Sequence, residues 1–225
     1  MENGTVLRSR RYGTLFRFAI SWKDLVVNDS GQGADGTPGA RRKDARRNRQ
    51  TLLEAAATVF VTSGVEAPVR DIAAAAGVGM GTIYRHFPTR ADLVIAVYHH
   101  QIDACAEAGP ALLADGPTPH AALGRWVDLF VDFLVTKHGL AAALQADNAR
   151  FQTLHAHFLD RLVPVCADLL DAAVDSGEIR PGIEALQLMH GIGNLCIGAD
   201  RDPDYDARLL VGLLVAGLRR PDPAP

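Results

Sequence analysis

Apolar residues recur along most of this chain at spacings of three and four, the pattern of helices that each bury one stripe. Leu52, Leu53, Ala56, Val59 and Phe60 predict a helix with Asn48 as its N-cap and an end near Gly64. Val69, Ile72, Ala73 and Ala76 predict a second, started by Ala67 and Pro68 because proline suits a first helical turn, and stopped by Gly77. Val78, Ile83 and Phe87 mark the inward face of a short third helix. After Pro88, Thr89 with Asp92 three residues on predicts a capped fourth helix whose stripe is Leu93, Val94, Val97, Ile102 and Ala106. The stretch from Pro110 to Pro119 predicts an interruption. Beyond it, helices are expected over 120–137, 140–146, 151–176, 183–197 and 205–220, with Pro164 kinking the third of these. Few stretches alternate in the manner of strands, so the predicted fold class is all-α.

The segment VRDIAAAAGVGMGTIYRHF, residues 69–87, has the outline of a helix-turn-helix. Gly77 can take the left-handed conformation that the turn needs, and Val78 supplies an apolar plug between the two helices. The second helix can then lie in a DNA major groove with Met80, Gly81, Thr82 and Tyr84 toward the nucleic acid. Gly79 and Gly81 each weaken that helix by roughly 1 kcal/mol relative to alanine. Small residues there suit a close approach of backbone to DNA, and can equally be tolerated by packing.

Charge distribution adds to this picture. The formal net charge of −3 speaks against a polyanion partner, yet residues 1–50 carry +6, residues 51–100 carry −1 and the rest −8. The basic end therefore adjoins the helix-turn-helix, through the run RRKDARRNR from Arg41 to Arg49. At 225 residues and 48% hydrophobic, the chain has room for one large domain or two modest ones. Cys105, Cys166 and Cys196 lack CxxC spacing and sit in apolar helical context, reading as reduced core thiols of a cytoplasmic protein, with a thiol sensor as the alternative. No transmembrane span or secretory signal is expected, since Leu15 to Ile20 is too short and Arg17 interrupts it.

These patterns divide the chain into four segments. Residues 1–40 read as a flexible extension with a Gly-rich linker from Ser30 to Ala40. It is a disordered basic arm, a product of an upstream start codon, or a segment whose Arg8, Arg10 and Arg11 add phosphate contacts. Residues 41–98 form the helix-turn-helix domain, 99–220 a helical domain for an effector and for dimerisation, and 221–225 a frayed tail.

The segment from Asn48 to Tyr98, and above all AAAAGVGMGTIYRHFPTRADL, resembles the N-terminal domain of the TetR family of bacterial transcriptional regulators. Gln101 to Arg220 is similar to that family only in length, helicity and order. The resemblance implies a three-helix DNA-binding domain joined by a fourth helix to a ligand-binding and dimerisation domain. It implies that Arg49, with Arg46 and Arg47 of the basic run, meets phosphates and that Arg70 reads a base, where its guanidinium can pair bidentately with guanine. Met80 and Thr82 lie on the exposed face of the recognition helix, while Tyr84, His86 and Arg90 match positions whose polar tips meet phosphates. Tyr84 can alternatively be a core aromatic, His86 a packing residue of the turn, and Arg70 and Arg90 solvated charges. The family commonly has Thr where this chain has Pro68, which keeps the helix start and loses a phosphate contact.

A head of this size needs a second copy to read two half-sites, so a homodimer on an inverted-repeat operator in double-stranded DNA is expected. Leu186, Met189, His190, Gly193 and Ile197 make one stripe for dimerisation, and Leu210, Leu214, Gly217 and Leu218 another; the alternative is intrachain core. Trp126, Phe130, Phe133 and Leu134, with Phe151, His155 and Phe158 on the next long helix and Met189 as floor, outline an apolar site for a small apolar or amphipathic effector. The same stripe can be plain core. His155 and His157 are two apart and point to different sides of a helix, so no metal is assigned, and no cofactor or membrane partner is expected. No catalytic arrangement stands out, and the chain is read as a non-enzyme, most simply a repressor released by ligand. The competing reading is an interaction module that keeps the head shape without binding DNA.

Overall fold

A computed structural model describes residues 38–136, 148–197 and 204–221. The chain divides into two units, Met1–Asp44 and Ala45–Pro225, and the second carries the hydrophobic core. Among the described residues there are eight helices: α1 (Pro38–Ser63), α2 (Val69–Ala76), α3 (Met80–His86), α4 (Arg90–Asp115), α5 (Pro119–Thr136), α6 (Asn148–Asp175), α7 (Ala185–Ile197) and α8 (Ala207–Gly217). The fold is all-α, as the periodicity predicts, apart from one isolated antiparallel bridge between Ile179 and Arg219.

Two helix limits differ from expectation by more than a turn, the others by three residues or fewer. Asn48 caps nothing, because α1 is already helical from Pro38 and carries Asn48 in its interior. Nor does Pro110 end a helix, since α4 runs through it to Asp115 and stops at Gly116, whose amide donates to the Leu112 carbonyl at 2.9 Å. Pro110 is exposed on the solvent side of α4, and the buried residues on either side of it, Gly109 and Leu112, hold the helix through the hydrogen bond that proline removes. The helix expected over 140–146 lies outside the described residues, as do residues 1–37 of the expected N-terminal extension and 222–225 of the tail.

Local chemistry accounts for the head. Gly77 closes α2 at φ +66°, with its amide on the Ala74 carbonyl and the Val78 amide on that of Ala73 at 3.0 Å, a Schellman turn that needs the left-handed residue. Thr89 and Asp92 form a capping box at the start of α4, the Thr89 hydroxyl accepting from the Asp92 amide and the Asp92 carboxylate from the Thr89 amide, each at 3.1 Å. Leu52, Leu53, Ala56 and Phe60 of α1, Ile72 and Ala73 of α2, Ile83 and Phe87 of the α3 end, and Leu93, Val94 and Val97 of α4 are all buried. Val59 and Val78 are half-buried at the rim.

The upper core continues along α4 without a break. Tyr98, Ile102, Cys105 and Leu112 are buried there together with Leu123, Trp126 and Phe130 of α5, Leu162, Cys166 and Leu169 of α6, and Leu188 and Ile192 of α7. Helices α4 and α6 approach closely where a Cβ on Gly109 would stand 2.3 Å from Val165 Cγ1. A polar seam joins the same pair. Asp103 Oδ1 accepts from Arg161 Nε at 3.0 Å and lies 3.1 Å from His157 Nε2, whose ring centroid is 4.4 Å from that of His99.

Candidate nucleic-acid interface and effector-domain surfaces

Helix α3 separates its residues cleanly. Ile83 and the capping Phe87 are buried, while Met80 and Tyr84 are each 51% exposed. The exposed side also holds Gly81, Arg85 and His86, with Thr82 half-buried at its edge. The interior alternative for Tyr84 is thereby excluded, because Ile83 and Phe87 already fill the position beneath the helix. No chain atom requires glycine at 81, where an added Cβ would meet nothing within 4 Å. Arg85 is not among the residues expected from sequence, although its place one position after Tyr84 on a surface helix could have signalled it.

The basic residues differ in how they are held. Arg46 and Arg47 are exposed on α1. Arg49 is exposed as well, and its guanidinium carbon stands 5.3 Å over the Phe87 ring, a cation–π contact between α1 and the end of α3. Arg70 projects into solvent beside Asp71, with Nε 3.4 Å from Oδ1. The His86 ring sits 6.2 Å from that of Phe87, tilted and outside the core. Arg90 is the exception, being half-buried and turned inward. It donates to the backbone carbonyls of Val65 and Ala67, the latter at 2.7 Å, and its Nε lies 3.8 Å from the Glu66 carboxylate.

In the other half, the aromatic residues singled out from sequence do converge. Trp126 and Phe130 stack at 5.5 Å and 7°, Phe158 stacks on both Phe130 at 6.0 Å and Phe133 at 5.8 Å, and His155 lies over Phe158 at 6.0 Å. Tyr98 meets Phe133 edge-on at 6.2 Å. Trp126 donates its indole N–H to the Cys105 carbonyl at 3.0 Å, which satisfies the one polar atom of a fully buried side chain. Phe133 and Met189 are buried, Phe158 and Leu134 half-buried, and His155 exposed, so the stack runs from the core to the surface of α6. The Phe151 side chain lies outside the described residues. A separate groove of about 220 Å³ opens between α5 and α8, lined by His120, Gly124, Val127, Asp128, Val211 and Val215 among others, and contains none of the residues expected to face an effector.

Helices α7 and α8 leave apolar side chains uncovered. Leu186 and Ile197 of α7 are exposed in line with His190, and Gly193 is half-buried between them. On α8 the stripe is displaced from the expected one. Leu209 and Leu213 are 59% and 61% exposed, whereas Leu210, Leu214 and Leu218 are half-buried at the flank and Gly217 is exposed at the end. Val211 and Val215 occupy the core side, so beyond Arg208 α8 is apolar all round and its periodicity alone could not say which face looks out. Among the described residues, no group of three or more His, Cys, Asp or Glu is placed to hold a metal ion, and no helix is long and apolar enough to cross a membrane.

Comparisons with known proteins agree with this architecture. The family described as bacterial regulatory proteins, tetR family, matches residues 52–97, and the family described as transcriptional regulator SbtR-like, C-terminal domain, matches residues 118–220. The chain is similar to the solved structure of a TetR transcriptional regulator from Streptomyces coelicolor, at 33% identity and a TM-score of 0.66, covering 76% of this chain and 98% of that one. A TetR transcription regulatory protein from Mycobacterium vanbaalenii is similar at 30% identity and a TM-score of 0.62, over 80% of this chain and 99% of the other. An HTH-type transcriptional regulator of Staphylococcus aureus (strain USA300) shares 29% identity over 136 residues, 60% of this chain and 74% of its own length. With its helix-turn-helix, its continuous α4 and two solved relatives matched over 98% and 99% of their length, the chain belongs to the TetR family of bacterial transcriptional regulators.

Proposed function

We propose that this regulator is a ligand-responsive repressor that binds an inverted-repeat operator as a homodimer. The observation that carries the reading is the face of α3. Half-exposed Met80 and Tyr84, with Gly81 and Thr82 between them, stand on a helix whose other side is locked by Ile83 and Phe87. Met80 and the Thr82 methyl suit thymine methyl groups, Arg70 suits a guanine edge, and Tyr84, His86, Arg46, Arg47 and Arg49 suit phosphates. The exposed leucines and isoleucine of α7 and α8 support dimerisation, because two helices with uncovered apolar faces gain most by pairing with their symmetry copies. Residues 41–98 act as the reading head and 99–220 as the effector and dimer half, divided within α4.

The aromatic stack on α5 and α6 supports a small apolar or amphipathic effector, entering beside His155 and Phe158 where the stack reaches the surface. Such a ligand shifts the equilibrium only as far as it prefers one arrangement of α4 over the other. The test is an anisotropy titration of the full chain with the intergenic DNA flanking its gene, across salt concentrations. Tight, salt-dependent binding to a symmetric site by a dimer is the expected result. A folded dimer indifferent to every flanking duplex would support the interaction-module reading instead.

A further inference from the structure

A basic residue at the first position of α4 can serve a DNA-binding head in two ways, by reaching out to a phosphate or by turning back to hold the head's own backbone. Arg90 turns back. One guanidinium nitrogen, Nη2, donates to both the Val65 and the Ala67 carbonyl, and Nε is buried near Glu66 without a hydrogen bond of its own. Val65 and Ala67 are themselves buried and form the turn between α1 and α2. Within the turn the Ala67 amide donates to the Gly64 carbonyl at 3.0 Å, but no side chain caps α2, whose N-cap is Pro68. Beside Arg90, the Thr89–Asp92 box stiffens the first turn of α4, and Arg150 of α6 donates to Asp92 Oδ1 at 3.0 Å. The turn that leads into α2 and the start of α6 thus both attach to the same end of α4.

We propose that Arg90 is a positioning residue and not a phosphate ligand: it pins the turn that begins α2 to the first turn of α4, and so sets how the α2–α3 pair is presented to DNA. The inference deepens the proposed function and rests on it. Charged N–H donors make the stronger hydrogen bonds to carbonyls, and Nη2 directs one N–H to each acceptor from a side chain that reaches further than lysine's and keeps Nε beside Glu66, a second cationic edge that a lysine lacks. Displacement of α4 then carries the turn before α2 with it through Arg90.

The experiment compares wild type, Arg90→Met and Arg90→Lys on the operator-bearing intergenic duplex and on a random duplex of equal length, between about 50 and 200 mM salt. Arg90→Met is expected to lose about tenfold or more on the operator, less on random DNA, with the slope of log K against log salt unchanged and Arg90→Lys recovering only part of the loss. Equal losses on both duplexes, a slope shallower by about 1.8, that is about 0.9 for each of the two Arg90 side chains of the dimer, and full rescue by lysine would identify a phosphate ligand and overturn the inference. Unchanged operator affinity in Arg90→Met would overturn it too. Should circular dichroism show Arg90→Met unfolded, Arg90→Lys alone decides, through the same slope and the same specific-to-random ratio. Failure of the wild type to bind any duplex in a salt-dependent way would sink the operator reading itself, and is seen before any variant is made.

Discussion

At Gly81 the chain tolerates a residue that weakens its helix, although nothing inside the protein needs the space. Gly81→Ala is therefore expected to stabilise the head by up to about 1 kcal/mol, read as a rise in Tm, while lowering operator affinity because the new methyl meets the DNA. A variant that is both more stable and equally tight would show that α3 does not approach DNA closely at this point. Tyr84→Phe and Arg70→Ala separate the two kinds of contact. Loss of the phenol oxygen should weaken operator and random duplex alike, whereas loss of Arg70 should mainly erode discrimination; equal losses for Arg70→Ala contradict base reading. Much at this scale was legible in the sequence, because Gly77, Thr89 with Asp92, and the pair Ile83 and Phe87 obey local rules. Arg90 was not, since a charge at a helix start looks the same whether it faces outward or bends back onto carbonyls 23 and 25 residues earlier.

Among the elements, α4 is the one whose ends do different work. Its first turn depends on the capping box, so Thr89→Ala is expected to cost about 1 kcal/mol, measured by denaturant unfolding. The Asp92 carboxyl is held below its ordinary 3.8, first by the Thr89 hydroxyl, with the Thr89 amide and Arg150 adding to that and burial opposing it. Its contribution is therefore complete above pH 3.8 and is lost as pH falls through the lowered value. Further along, Gly109→Ala would drive a methyl into Val165, a short branched side chain with little freedom to yield. That substitution should destabilise the protein by about 1–3 kcal/mol, and a neutral result would mean that α4 and α6 can separate readily. The crossing could not be read from sequence, because a lone glycine in a helical stripe does not say which neighbour comes close. Helix α8 failed for the opposite reason: with apolar residues on every face, Leu210 and Leu214 looked as good as Leu209 and Leu213.

Over the whole molecule, buried titratable groups set how the fold answers to pH and to thiol reagents. Burial lowers the pKa of both His99 and His100 below 6.5, with His157 adding to it for His99 while Asp103 opposes; at His100 Glu54, Asp103 and Glu107 oppose and Arg49 adds. The unfolded chain then binds more protons than the native one just below pH 6.5, so stability declines as pH falls through that region. Thermal melts between about pH 7.5 and 5.5 should show that decline, and His100→Gln should flatten it. All three cysteines are free and buried. Burial pushes the Cys166 thiol up to about 12, raises that of Cys105 further and raises that of Cys196. The native protein should thus resist a thiol-modifying reagent and yield its three thiols only in denaturant; rapid labelling of the folded protein would revive the sensor reading.

The uninterrupted run of α4 from the Thr89 cap to Gly116 has a consequence for anyone hoping to treat the two halves as exchangeable parts. A cut after Tyr98 would fall between buried Val97 and buried Ile102, stripping a greasy flank from either fragment. Chimeras that graft this reader onto another sensor should hence be spliced beyond residue 115, taking the complete rod, or they will inherit a torn core at the seam.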